Sequence, residues 1–202
     1  MRNIFVTAIG TDSGKTIVSA VLCEALSACY WKPIQAGYPR DTDTVSSLVS
    51  NSSFKAFPEK YLLQTPASPH AAAKIDGVTI GLNDFTVPGR ELLVIEGAGG
   101  CMVPINDSNF VIDIAGHLDC EIVLVSNLYL GSINHTLLTL HLLRSKNMNI
   151  KGIIFNGKAN EESERIILHH AGLPCLLRIS QEPAFEKERV SHYAKELLKN
   201  WK

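Results

Sequence analysis

The sequence predicts an α/β protein with a largely parallel central sheet flanked by helices. Three observations carry this. Short apolar runs at 3–8, 91–96, 121–127 and 150–156 alternate with helix-length segments, the pattern of parallel strands joined by helical crossovers. The first run, NIFVTA, passes through a glycine-containing turn straight into a helix from Gly14. At the far end, Val190, Tyr193, Ala194, Leu197, Leu198 and Trp201 recur at spacings of three, one, three, one and three, which lays an amphipathic helix on the core.

Taken in order, residues 3–8 read as a strand and 14–28 as a helix. YWKPIQ (30–35) reads as one second, short strand. DTDTVSSLVS (41–50) reads as a helix started by Asp41 or Thr42. The stretch 52–90 is mixed and carries Pro58, Pro66, Pro69 and Pro88, with a short segment near YLLQ and a helix near SPHAAAK. ELLVIE is a buried strand that runs into a carboxylate, and the loop GAGG follows it. EIVLVSN is a strand, GSINHTLLTLHLLRSK a helix and IKGIIFN a strand. EESERIILHHAG is a helix ended by Gly172 with Pro174 beyond, and CLLRIS is a last strand. Sheets of this kind place their sites at the carboxyl ends of strands, here just after residues 8, 36, 96, 127 and 156.

The 202 residues, 46% apolar and 19% charged, suit one substantial core, read as a single domain over 1–202. A formal charge of −1 gives no field toward nucleic acid or an anionic membrane. The five scattered cysteines lack C-x-x-C spacing and read as reduced thiols of a cytoplasmic protein. The run IFVTAI is too short to span a membrane.

The motifs follow. In GTDSGKT, residues 10–16, Gly14 lets the backbone approach a phosphate, the helix N-terminus adds positive potential, Lys15 reaches the β- and γ-phosphates and Thr16 offers a hydroxyl to magnesium. The bland alternative is an ordinary strand-to-helix turn. Lys32, in KPIQAG, is either a second cation at the site or a solvated charge. Asp43 and Glu96 are candidate magnesium ligands; for Asp43 the alternative is helix capping, with Asp41 as another possible cap. Glu96 has no comparable alternative, because an apolar strand gains nothing by burying an unpaired charge. GAGG lets a substrate lie against the backbone, or is only a flexible turn. Gly131, Ser132 and Ile133 present N–H groups suited to a carboxylate, unless Ser132 or Asn134 simply caps the helix. No histidine spacing suggests zinc; His70, beside a helix start, reads best as structural.

Together, AIGTDSGKT, KPIQAG, Asp43, ASPHAAA, IEGAGG, LGSINH and IFNG occur in the order seen in ATP-dependent dethiobiotin synthetases, and the chain resembles that family from residue 3 to about 157. Ala8 and Ala36 depart from the family's glycine and hydroxyl residue, and the loop after the last strand lacks its usual Gly and Pro. The resemblance implies a P-loop NTPase-like fold and a magnesium-dependent cyclo-ligase that joins CO2 to diaminononanoate with ATP, in a homodimer. It implies that Gly10, Thr11, Asp12, Ser13, Gly14, Lys15 and Thr16 hold the phosphates and that Asn156 reads the adenine. Lys15 and Lys32 would be catalytic, and Thr16, Asp43 and Glu96 would hold magnesium. Thr11, Lys32, Ala36, Gly97 and Gly99 would line the substrate pocket, with Gly131, Ser132 and Asn134 of a second subunit holding the substrate carboxylate. Two rivals stand beside it: a partition-type ATPase switch, whose early signature lysine is Gly10 here, and a nucleotide-binding relic without ligase activity.

Overall fold

A computed structural model describes residues 2–89 and 91–201. The elements follow in chain order: β1 (Ile4–Ala8), α1 (Lys15–Leu26), β2 (Cys29–Trp31), β3 (Ile34–Ala36), α2 (Asp41–Leu48), β4 (Ala56–Phe57), β5 (Tyr61–Leu63), α3 (Pro69–Ile75), β6 (Leu93–Glu96), α4 (Val111–His117), β7 (Glu121–Asn127), α5 (Ser132–Ser145), β8 (Asn149–Asn156), α6 (Glu161–Ala171), β9 (Cys175–Ile179) and α7 (Lys187–Asn200). Seven strands form one sheet in the order β4-β2-β6-β1-β7-β8-β9, and every pairing in it is parallel.

Side chains alternate across that sheet, as the strand period requires. On one face Ile4, Val6 and Ala8 of β1 pack with α1, α2 and α7. On the other, Phe5 packs with residues of α3 and α4, while Leu124, Ile153 and Phe155 pack under α5 and α6. Both faces are therefore covered, which is why the strands read as nearly unbroken apolar runs. From β1 the chain turns toward β2, whereas from β6 it passes over β1 to β7. The carboxyl ends of β1 and β6 thus flank a crevice at a reversal of winding direction.

Two expectations are corrected, and one helix was not anticipated. YWKPIQ is not one strand: β2 stays in the main sheet, while β3 leaves it and pairs with β5 in a separate two-stranded sheet. Pro33 is the cause, because it has no N–H to give a ladder; its carbonyl accepts the Tyr61 N–H instead. Leu198 is exposed, and only Val190, Tyr193, Ala194 and Leu197 of the closing helix are buried. Helix α4 was not read from the sequence: it has only seven residues, and its cap position holds Phe110, with Asp107, Ser108 and Asn109 one or more places too early; Asp113 closes its start by accepting the Phe110 N–H at 2.8 Å.

Gly152 marks a close approach between β8 and β9. A β-carbon there would lie 2.7 Å from both the Pro174 carbonyl oxygen and Leu176 Cγ. Gly152→Ala is therefore expected to destabilise the fold by roughly 1–3 kcal/mol, the range for overpacking a core. A lowered urea midpoint at constant m-value is the readout.

Candidate functional site

The phosphate loop leaves β1 after Ala8 and enters α1 at Lys15. Gly14 is the residue before the helix and holds φ +89, left-handed backbone that L side chains rarely adopt. A β-carbon on it would also meet Asn156 Nδ2 at 2.2 Å. Asn156, the last residue of β8, donates from Nδ2 to the Ser13 carbonyl at 2.9 Å and so pins the loop from across the sheet. Ser13 Oγ donates to the Gly10 carbonyl at 3.1 Å, and Lys15 Nζ curls back to the same oxygen at 3.4 Å.

Five side chains meet at the carboxyl ends of β2 and β6. Lys32 follows β2, beyond the Trp31–Ile95 pairing, and this register sets it beside Glu96 at the end of β6. Lys32 Nζ lies 3.1 Å from Glu96 Oε1 and ion-pairs with Asp41. Thr16 Oγ1 lies 2.9 Å from Asp41 Oδ1 and 3.1 Å from Glu96 Oε1, so its single proton serves one of them at a time. Tyr30 donates its hydroxyl to Glu96 Oε2 at 2.9 Å.

Burial and neighbouring charge compete at this cluster. Desolvation lowers the Lys15 pKa, and the pull of Glu96 only partly offsets it. For Lys32, desolvation also favours the neutral amine, but Glu96 and Asp41 together outweigh it and raise the pKa. Burial, and then the Glu96 charge, push the Tyr30 phenol well above its ordinary value, so it stays a neutral donor.

Asp43 is a correction. It lies on the exposed side of α2, where Arg40 Nε donates to its Oδ2 at 2.9 Å. Asp41, considered above only as a cap, is the carboxylate that faces Thr16 and Lys32. The helical period explains the exchange, since residues two apart point away from one another. Gln35 fixes Asp41: its Oε1 accepts the Asp41 N–H at 3.1 Å, and its Nε2 donates to the Gly37 carbonyl at 3.1 Å. Gln35 sits inside KPIQAG but was given no role there, and Tyr30 lies outside every motif.

A cavity of ≈ 690 Å³ opens beside this cluster. Thr11, Asp12, Ser13, Gly14, Lys15, Thr16, Lys32, Ala36, Asp41, Glu96 and Gly99 line it, together with the 66–69 segment. Gly97 does not; it is buried against Phe5, its N–H continues the ladder to the Val6 carbonyl at 3.0 Å, and Ala98 and Gly99 form the wall instead. Gly131 belongs to a second hollow of ≈ 360 Å³, with Tyr129, Lys158 and Asn160. Neither Ser132 nor Asn134 caps α5: the residue before the helix is Gly131, at φ 108, and no side chain caps it. Ser132 Oγ is instead buried without a hydrogen-bond partner, and Asn134 is exposed.

Hard oxygen donors, two ammonium groups and a glycine-gated helix start define a nucleotide-binding α/β protein of the P-loop type. A family model described as an AAA domain matches residues 2–189. The MinD cell division protein of Aquifex aeolicus shares the fold, with a TM-score of 0.61 at 15% identity over 98% of this chain and 96% of that one. Sequence relatives are much nearer. An ATP-dependent dethiobiotin synthetase of Cytophaga hutchinsonii is 52% identical over 100% of this chain and 99% of its own length. Another, of Christiangramia forsetii, is 44% identical over 98% and 97%. The chain belongs to the ATP-dependent dethiobiotin synthetase family, the cyclo-ligases of biotin biosynthesis.

The exchange of carboxylates has a direct check. If a magnesium ion accompanies the nucleotide, as the family resemblance implies, Asp41→Asn is expected to weaken binding of that pair by roughly ten-fold or more, the scale of losses at a metal site. Asp43→Asn removes only an exposed ion pair and should leave that binding unchanged. Titration calorimetry with an ATP analogue at several magnesium concentrations separates the two.

Proposed function

We propose that this chain carboxylates 7,8-diaminononanoate with CO2 and closes the product to a cyclic urea, dethiobiotin, with conversion of ATP to ADP and phosphate. The observation that carries the reading is the meeting of Lys15, Lys32, Thr16, Asp41 and Glu96 at the mouth of one cavity.

One amine of the substrate attacks CO2, loses a proton and becomes a carbamate anion. Lys32 and Lys15 stabilise that anion by charge. A carbamate oxygen attacks the γ-phosphorus and ADP leaves, which gives a carbamic–phosphoric anhydride. The second amine attacks the carbonyl carbon, the ring closes, and phosphate leaves with a proton lost from nitrogen. The protein contributes position and charge rather than a nucleophile. Lys15 and the N–H groups from Gly10 to Thr16 hold the triphosphate, Thr11, Ala36 and Gly99 shape the space for the carbamate, and Asn156, which pins the loop through the Ser13 carbonyl, would read the base with the rest of its amide.

The donor set fits magnesium: a hydroxyl and two carboxylates, all oxygen, around which the Lys32 ammonium already lodges as a cation. Thr16, Asp41 and Glu96 would hold the ion. When bound, magnesium neutralises charge on the β- and γ-phosphates.

The reading also places Gly131, Ser132 and Asn134 at the substrate carboxylate of a partner subunit. Support comes from their position outside the main cavity and from exposed apolar groups on this part of the chain, Tyr129 and Leu130 before α5 and Leu138 midway along it, which suit contact with a second copy. The free thiols suit a reducing cytoplasm, and no helix among the described residues is long and apolar enough to cross a membrane.

Phosphate release tests the proposal. It should require ATP, bicarbonate and the diamine together; a relic would show no such dependence, and an ATPase switch would ignore the diamine. Lys15→Ala is expected to abolish ring closure while the unfolding midpoint stays near that of the parent, and near-normal turnover would sink the phosphate-loop assignment. Asn134→Ala should weaken diamine affinity and spare ATP affinity, as read by separate titrations.

A further inference from the structure

Tyr30 lies on β2 with its ring fully buried in the core beside α1 and α2. A phenylalanine would fill that space equally well, so the hydroxyl calls for its own explanation. A tyrosine hydroxyl is kept in a core where it has a partner, and here that partner is one oxygen of a carboxylate at the reaction centre. Tyr30 donates to Glu96 Oε2 at 2.9 Å, while Thr16 and Lys32 both approach Oε1, each at 3.1 Å. The two oxygens of Glu96 are thus divided: one faces the core and is occupied by the phenol, the other faces the cavity.

That division has a chemical consequence for a cation. Magnesium is small, demands near-octahedral geometry and takes carboxylates through single oxygens beside several waters. Calcium is larger, accepts more ligands and commonly takes both oxygens of a carboxylate. With Oε2 bonded to the phenol, the two-oxygen mode at Glu96 is closed. We propose that Tyr30 is a positioning residue that holds Glu96 to one available oxygen and thereby favours magnesium over calcium at the nucleotide site. The inference rests on the reading above, in which Thr16, Asp41 and Glu96 hold the ion.

Tyr30→Phe removes the hydroxyl and leaves the ring. Binding of a non-hydrolysable ATP analogue is measured by calorimetry without divalent cation, then at rising magnesium or calcium. Metal-free binding is expected to be unchanged. The magnesium midpoint should rise roughly ten-fold, the lower end of the loss seen when a hydrogen bond to a metal ligand is removed, and the calcium midpoint should rise less, so the preference for magnesium narrows. Ile167→Val, a mild core truncation under α6, controls for lost stability and should move neither midpoint. Unchanged midpoints in Tyr30→Phe, or equal shifts for both ions, would overturn the assignment and leave the hydroxyl a structural bond only. Glu96→Gln separates the two levels, with Thr16→Val in its place if that variant does not fold. If magnesium dependence survives there, the metal-site reading itself fails; if it is lost there but intact in Tyr30→Phe, only the role of Tyr30 fails.

Discussion

A carboxylate that is 1% exposed at the end of an apolar strand governs the architecture around it. An ionised group in such a place is tolerated only when its oxygens are paired and hydrogen-bonded, and removing one partner of a buried pair costs about 3–5 kcal/mol. Glu96 meets the requirement from three directions. Tyr30 comes from inside the sheet, Lys32 from the break after β2, and Thr16 from the first turn of α1. Lys32 in turn draws in Asp41 from α2. Satisfying one buried charge therefore ties β2, β6, α1 and α2 together at the cavity mouth.

The same cluster explains how a chain of nearly zero net charge handles strongly anionic ligands. Cationic character is local. Lys15 and Lys32 stand at one rim of the sheet beside the start of α1, whose dipole adds to theirs. Their surroundings treat them differently. Burial depresses Lys15, while the two carboxylates hold Lys32 firmly as an ammonium ion. Lys32 is thus a fixed charge, and Lys15, tethered only at 3.4 Å to a carbonyl, is the one less committed to protein partners.

Several elements were readable because their signals are local. EIVLVSN matched β7 to the residue, and the strand, glycine turn and helix of the phosphate loop stood where the motif requires. The misreadings share a cause. YWKPIQ has strand composition throughout, but the split at Pro33 depends on β5 being there to receive β3. The choice between Asp41 and Asp43 turned on the rotation of α2 about its axis, which Gln35 sets from outside the helix. At α5, serine and asparagine suggested a cap, yet the turn is made by the backbone of Gly131.

Period, turn chemistry and motif order were thus enough to establish the α/β class, the nucleotide loop and the family resemblance, because each is a property of residues near one another in the chain. Which carboxylate faces Thr16, what occupies the second oxygen of Glu96, and which glycines of GAGG border the cavity depended on contacts between residues as distant in the chain as Phe5 and Gly97. Those contacts are fixed by strand order and helix rotation, and neither is written in any single segment.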